Sequence, residues 1–213
     1  MGGIVQGLFI EGALYNEEEL LKFLKSKHGL KHVTPDKRWI DIGLTNFLTG
    51  EYKDLKSEDL VGDDFYNAIY AEFAYAGFFK PVKSQDTELL SGSTLWDVDI
   101  MSVVNKCKET YQDEDIVLDV LLTSQRTLPV IDAHGLTAVN MLWRYLEISS
   151  YYTAVDGLLR AKYAFPNITF RNIVSPSERL PSSIKPLQLD QPDIDSMIAL
   201  GEKDGKASAA AGP

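Results

Sequence analysis

The amino-acid sequence predicts one α/β domain with a partly parallel sheet covered by helices on both faces. Three observations carry this expectation. Segments of strand periodicity alternate with segments of helical periodicity along the chain. The run Ile116–Thr123 has the length and the leucine and β-branched content of a buried strand. A proline-free stretch, Leu136–Tyr163, reads as one long helix ahead of a further strand, Ile168–Val174.

The remaining elements follow in order. Leu14–Leu30 is expected to be helical: Asn16 is placed to cap it, Glu19 completes a capping box, Leu20, Phe23 and Leu24 form an apolar stripe, and Gly29 ends it. In Arg38–Leu55, Ile40, Ile42 and Leu44 alternate with Asp41, Gly43 and Thr45. Thr49-Gly50 supplies a turn, so two strands in a hairpin are expected. Asp63–Ala76 is an alanine- and aromatic-rich helix closed by Gly77 and stopped by Pro81. Thr87–Leu90 is a short strand, Ser91-Gly92-Ser93 a turn, and Asp97–Glu109 a helix. Ile100, Val103, Val104 and Cys107 share one face of it, which makes Cys107 a core residue. Pro176, Pro181 and Pro186 mark an irregular connection to a short helix, Asp193–Leu200, before a small, polar tail.

Composition narrows the function classes. At 213 residues, 45% hydrophobic and 24% charged, the chain has material for a full core without disulfide or metal staples. A net charge of −10 repels phosphate backbones, so nucleic acid is not an expected partner. The single cysteine, Cys107, forms no intrachain disulfide, and the default compartment is intracellular and reducing. No apolar run reaches membrane-spanning length, and Met1–Gln6 has neither a secretory pattern nor, with Gln6 where Ser or Thr is required, a myristoylation pattern.

The sequence contains no G-x-S-x-G, H-E-x-x-H, Walker A or G-x-G-x-x-G pattern. Gly201–Lys206 is one residue short of a phosphate loop and follows a helix. His28, His32 and His134 lack mutual metal-ligand spacing, and no metal or other cofactor is expected.

Two long stretches say more. Ala68–Val82, with its Gly77-Phe78-Phe79-Lys80-Pro81-Val82 exit, and Leu89-Leu90-Ser91-Gly92-Ser93-Thr94-Leu95-Trp96-Asp97-Val98-Asp99-Ile100 together resemble the second half of a patatin-like phospholipase domain. Gly3–Leu8 and Gly12-Ala13-Leu14-Tyr15-Asn16 resemble the part after that family's nucleophile region. Arg144-Tyr145-Leu146-Glu147 and Leu158-Leu159-Arg160-Ala161-Lys162 resemble its C-terminal part, nearer to protist members than to plant storage patatins. The resemblance spans Gly3 to Glu202. It implies a truncated patatin-like domain over residues 1–202, an incomplete three-layer sandwich, with a polar tail over 203–213.

The family hydrolyses lipid acyl esters with a serine on a G-x-S-x-G elbow, a glycine-rich oxyanion loop and an aspartate from an Asp-Gly turn. A serine hydroxyl needs a base, and the oxyanion needs preorganised donors. By the resemblance the elbow and the loop would lie before Met1, and the position matching the aspartate is Ser91, followed by Gly92 and Ser93. A hydroxyl there is no carboxylate base near neutral pH. Asp97 or Asp99 is expected to cap the following helix, Asp156 to lie on a helix surface, and Ser124, Ser149 and Ser150 to be packing residues.

The expectation is therefore a catalytically inactive chain: a structural or accessory subunit of a larger assembly, membrane-associated assemblies included, whose open sheet edge other protein chains cover. The alternative is the C-terminal part of an active acyl hydrolase with its serine on an upstream segment. A third reading is lipid binding in an acyl groove lined by Phe65, Phe73, Phe78 and Phe79, although a packed core accounts for these rings equally well.

Overall fold

The computed structural model describes residue 13 and residues 18–26, 38–60, 62–84, 86–181 and 190–211. The chain forms two compact units, residues 1–102 and 103–213. The fold is mixed α/β: a four-stranded antiparallel sheet in the first unit and a parallel strand pair in the second.

In the first unit, α1 (Glu18–Lys25) covers part of the helix expected over Leu14–Leu30; Asn16 and Gly29 lie outside the described residues. Of its stripe, Leu24 is buried, but Phe23 is largely exposed. The expected hairpin is present as β1 (Asp41–Asn46) and β2 (Tyr52–Lys56), paired from Asp41↔Lys56 to Thr45↔Tyr52. Gly50 in its turn has φ 75°, the left-handed conformation that favours glycine. Next come α2 (Asp63–Glu72), β3 (Val82–Ser84) and β4 (Thr87–Ser91), giving the strand order β2-β1-β4-β3. The helix α2 ends at Glu72 rather than Ala76. Phe73 and Ala74 close it with bonds to the carbonyls of Tyr70 and Ala71, and Gly77 turns the chain at φ 86°.

Strand alternation sets the two faces of this sheet. Ile42, Leu44 and Leu89 pack against Ala68 and Ala71 of α2, with Leu55, Phe65 and Ile69 around them, which is why α2 needs small residues on its inner side. The opposite face carries Asp41, Gly43 and Thr45 of β1 with their register partners Lys56, Asp54 and Tyr52.

The helix α3 (Ile100–Lys108) follows a short 3-10 turn at Gly92–Thr94. Ile100 and Val104 are buried as expected, whereas Val103 is exposed and Cys107 only half-buried. The stripe is thus narrower than the sequence pattern, because positions 100 and 104 alone sit at its centre.

In the second unit, β5 (Val117–Leu121) and β6 (Thr169–Val174) pair in parallel, joined through the 27-residue helix α4 (Ala138–Ala164). Thr137 and Asn140 form a reciprocal capping box that starts α4. The run Ile116–Thr123 departs from the expected strand buried on both faces. Leu118 and Val120 are buried, but Val117 and Leu121 are exposed, Leu121 at 77%. One face is covered, so burial alternates.

The last helix also differs. Rather than stopping at Leu200, α5 (Gln191–Ala211) continues through the segment expected to be tail. Ala207 and Ala209–Ala211 are strong helix formers, Glu202 and Lys206 make an i,i+4 pair, and Asp204 bonds the amide of Ser177. Sequence polarity suggested a tail; propensity and that tertiary bond extend the helix.

A Cβ added at Gly92 would stand 2.2 Å from the carbonyl oxygen of Gly43, a backbone atom with no way to withdraw, whereas one added at Gly201 in α5 would meet nothing within 4 Å. Gly92→Ala should destabilise by about 2 kcal/mol or more through strand displacement. Gly201→Ala should stabilise by about 0.5–1 kcal/mol through helix propensity. Urea unfolding of the two variants beside the parent checks both.

Candidate functional site

The turn after β4 holds the residues that the sequence singles out. Ser91 ends β4 fully buried, its main chain fixed by Thr45, whose hydroxyl donates to the Ser91 carbonyl at 3.2 Å. The Ser91 hydroxyl oxygen caps the 3-10 turn by accepting the Ser93 amide at 3.3 Å, and it lies 2.8 Å from the Ser93 hydroxyl. Gly92 packs on Gly43, and its amide donates at 3.0 Å to Oε2 of Glu72, the last residue of α2.

Glu72 is the participant that the sequence reading missed. Burial pushes its carboxyl up, and the Gly92 amide and Ser91 hydroxyl partly offset this by bonding the charged form. A carboxylate therefore does stand at this turn, delivered by a helix 19 residues upstream rather than by position 91 itself. No spacing rule links a helix C-terminus to such a turn, so only folding reveals the pair. The Ser91 hydroxyl has one proton and two lone pairs. The Ser93 amide and hydroxyl engage that capacity inside the fold, and a side chain with no exposure offers no attacking oxygen to a substrate.

A second polar cluster occupies the face of the same sheet opposite α2. Asp41, Asp54 and Asp99 bring one carboxylate oxygen each within 4.8 Å of one another. Asp99 caps α3, as expected for Asp97 or Asp99: its carboxylate accepts the Ser102 amide at 3.1 Å and the Ser102 hydroxyl at 2.6 Å. Burial and Asp99 raise the carboxyl of Asp54 against the opposing pull of nearby Ser102 and Lys56. The Tyr52 phenol donates to Asp99; burial and the neighbouring carboxylates push its ionisation far up, and its ring meets Trp96 edge-on at 6.4 Å. Among the described residues no side-chain donor reaches either buried oxygen of Asp41. Burial, then Asp54 and Asp99, raise its carboxyl to about 6, against the smaller opposing pull of the Ile42 amide and Lys56. Oxygen-only sets of this kind suit hard divalent cations.

The other residues singled out are dispersed. Asp156 lies exposed on α4, paired with Arg160 at 2.6 Å, as expected of a helix-surface acid. Ser149 is exposed rather than packed, while Ser124 and Ser150 are half-buried. Phe65 packs on the core, Phe79 meets Tyr70 edge-on at 6.2 Å and Phe73 is 49% exposed, so these rings do not share one environment. His134 is exposed beside Asp132; His28 and His32 lie outside the described residues. No family model and no curated protein matches the chain.

Two outcomes follow from this geometry. The folded state holds the Asp41 proton more tightly than the unfolded chain does. Stability therefore falls as pH rises from 3.8 to about 6 and stays lower above that. Asp41→Asn should flatten this slope, stabilising at pH 7.5 by on the order of 1 kcal/mol after solvent screening and leaving stability at pH 3.5 unchanged; denaturant melts across pH measure it. Glu72→Ala should cost about 1–3 kcal/mol by stranding the Gly92 amide, and Glu72→Gln, which keeps an acceptor, clearly less. Thermal unfolding of the two variants compares them.

Proposed function

We propose that this chain is a catalytically silent relative of the patatin-like phospholipases, acting as a structural or accessory subunit of a larger assembly. The observation that carries the docking part is α4. Its 27 residues include only two that are buried, Ala154 and Ala161. Val139, Met141, Leu142, Tyr145, Ile148, Tyr152, Leu159 and Tyr163 all lie exposed along it. A helix apolar on most of its circumference belongs inside a larger body. The β5–β6 pair adds to this, since two parallel strands with exposed Val117 and Leu121 make a sheet that is marginal without further cover.

Silence is supported by Ser91. At the turn where the resemblance places a catalytic aspartate, the chain carries a fully buried hydroxyl whose hydrogen bonds close on Ser93 and Glu72. The unpaired Cys107 fits an intracellular setting, cytoplasmic or organellar. Among the described residues no helix is long and apolar enough to cross a membrane, so any membrane association is proposed as peripheral and through partners or lipid.

Glu72 favours the second reading, an acyl hydrolase whose serine is carried on an upstream segment. Its carboxylate at the Gly92 amide would be the proton acceptor there. Fluorophosphonate probing of the protein as isolated from its source, any upstream segment included, together with native mass measurement, separates the two readings. The subunit reading expects no labelled serine and a mass above the monomer's. Stoichiometric labelling overturns the silence, and a stable monomer at micromolar concentration overturns the docking.

A further inference from the structure

The second unit contains a half-open cavity of mixed polar and apolar lining, unrelated to the Ser91 turn. Beyond the carboxyl ends of β5 and β6 the chain leaves the parallel pair, and between those exits and α5 lies a space of about 580 Å3. Its polar lining includes Gln125, Arg126, Thr127, Ser175, Ser177 and Asp204. The space past the carboxyl ends of parallel strands is where α/β folds hold ligands, because departing loops splay there and leave polar groups free.

Among the described residues the lining has one cation in no ion pair, Arg126, whose charge acts on Asp204 from a distance, and two acceptors lacking a full set of donors. Arg126 donates from Nε to the buried hydroxyl of Ser175 at 3.3 Å, which fixes the plane of the guanidinium. Among the described residues no carboxylate forms an ion pair with it. The other arginine of the lining, Arg171, is neutralised by Asp119 through two hydrogen bonds. Gln125 Oε1 is buried and accepts nothing from any described group. Asp204 is held below the ordinary carboxylate range by the Ser177 amide, 2.8 Å away, and by its hydroxyl, so it stays ionised with lone pairs to spare.

We propose that this cavity binds a small polyol phosphate. The terminal amino groups of Arg126 take phosphate oxygens in the paired geometry that guanidinium favours, with the Thr127 hydroxyl beside them. The polyol hydroxyls donate to Gln125 Oε1 and Asp204. A bare oxyanion brings no hydrogens for those two acceptors and fills only a small part of the volume. A neutral polyol offers no paired anionic oxygens to the terminal amino groups of Arg126, which meet no acceptor among the described residues. A ligand with both ends satisfies the lining.

The test is a titration of the full chain with glycerol 3-phosphate, followed by calorimetry and by amide chemical shifts. Expected are saturable binding and shifts confined to residues 125–127, 175–177 and 204–208. Inorganic phosphate and glycerol should each bind at least about tenfold more weakly, and Arg126→Ala should weaken glycerol 3-phosphate binding by about tenfold or more. Arg126→Ala also removes the donor to the buried Ser175 hydroxyl, so its melting curve is recorded beside the parent's to show that it stays folded at the titration temperature; Arg126→Lys, which retains the charge without the fork, should also bind more weakly. Absence of saturation, undiminished binding by both Arg126 variants, shifts elsewhere, or inorganic phosphate binding as tightly as glycerol 3-phosphate would each overturn the proposal.

Discussion

The first unit depends on a backbone-to-backbone contact: the Ser91–Gly92 turn lies directly on β1 at Gly43, closer than any side chain allows. That approach brings Ser91 into the interior, lets Thr45 hold its carbonyl, and turns the Gly92 amide toward Glu72. Gly43 is constrained from its other side too, since a Cβ there would collide with the Tyr52 ring across the hairpin. Two glycines thus set how closely β4 and its turn pack on β1, and the polar groups around them follow from that spacing.

The two faces of the four-stranded sheet use opposite physics. Toward α2, Ile42, Leu44 and Leu89 meet small alanines, and dispersion and water exclusion hold the layer. On the other face three carboxylates gather around Tyr52 and Ser102, a grouping in which the charged forms repel. Holding Asp41 without a side-chain donor costs stability near neutral pH. Packing on the α2 side and the Asp99 cap on α3 offset it.

The second unit is built differently, with a long, well-capped helix and little of it enclosed. Arg144 and Arg179 both bind Glu147 in its half-buried stretch, at 2.7 and 2.9 Å, so one carboxylate ties the middle of α4 to the segment after β6. Apart from Ala154 and Ala161, the apolar side chains of α4 keep water contact.

Element types were largely legible in residue order, because alternation at Ile40–Thr45, the Thr49-Gly50 turn, the proline-free stretch after Leu136 and the cap at Asp99 are local properties that short-range sterics and hydrogen bonds settle. Ends were less so: α2 stops four residues early, closed by the bonds of Phe73 and Ala74 to the carbonyls of Tyr70 and Ala71, and α5 runs eleven residues past Leu200 with a bond to the distant Ser177 amide holding it. The chemistry was least legible. Glu72 beside Ser91, Asp41 with Asp54 and Asp99, and Gln125 with Arg126 and Asp204 are meetings across the fold, and no local preference encodes which distant side chains share a buried volume. Local free energies chose helices, strands and turns; the placement of charges relative to one another was left to long-range packing, where burial and neighbouring dipoles give each group its character.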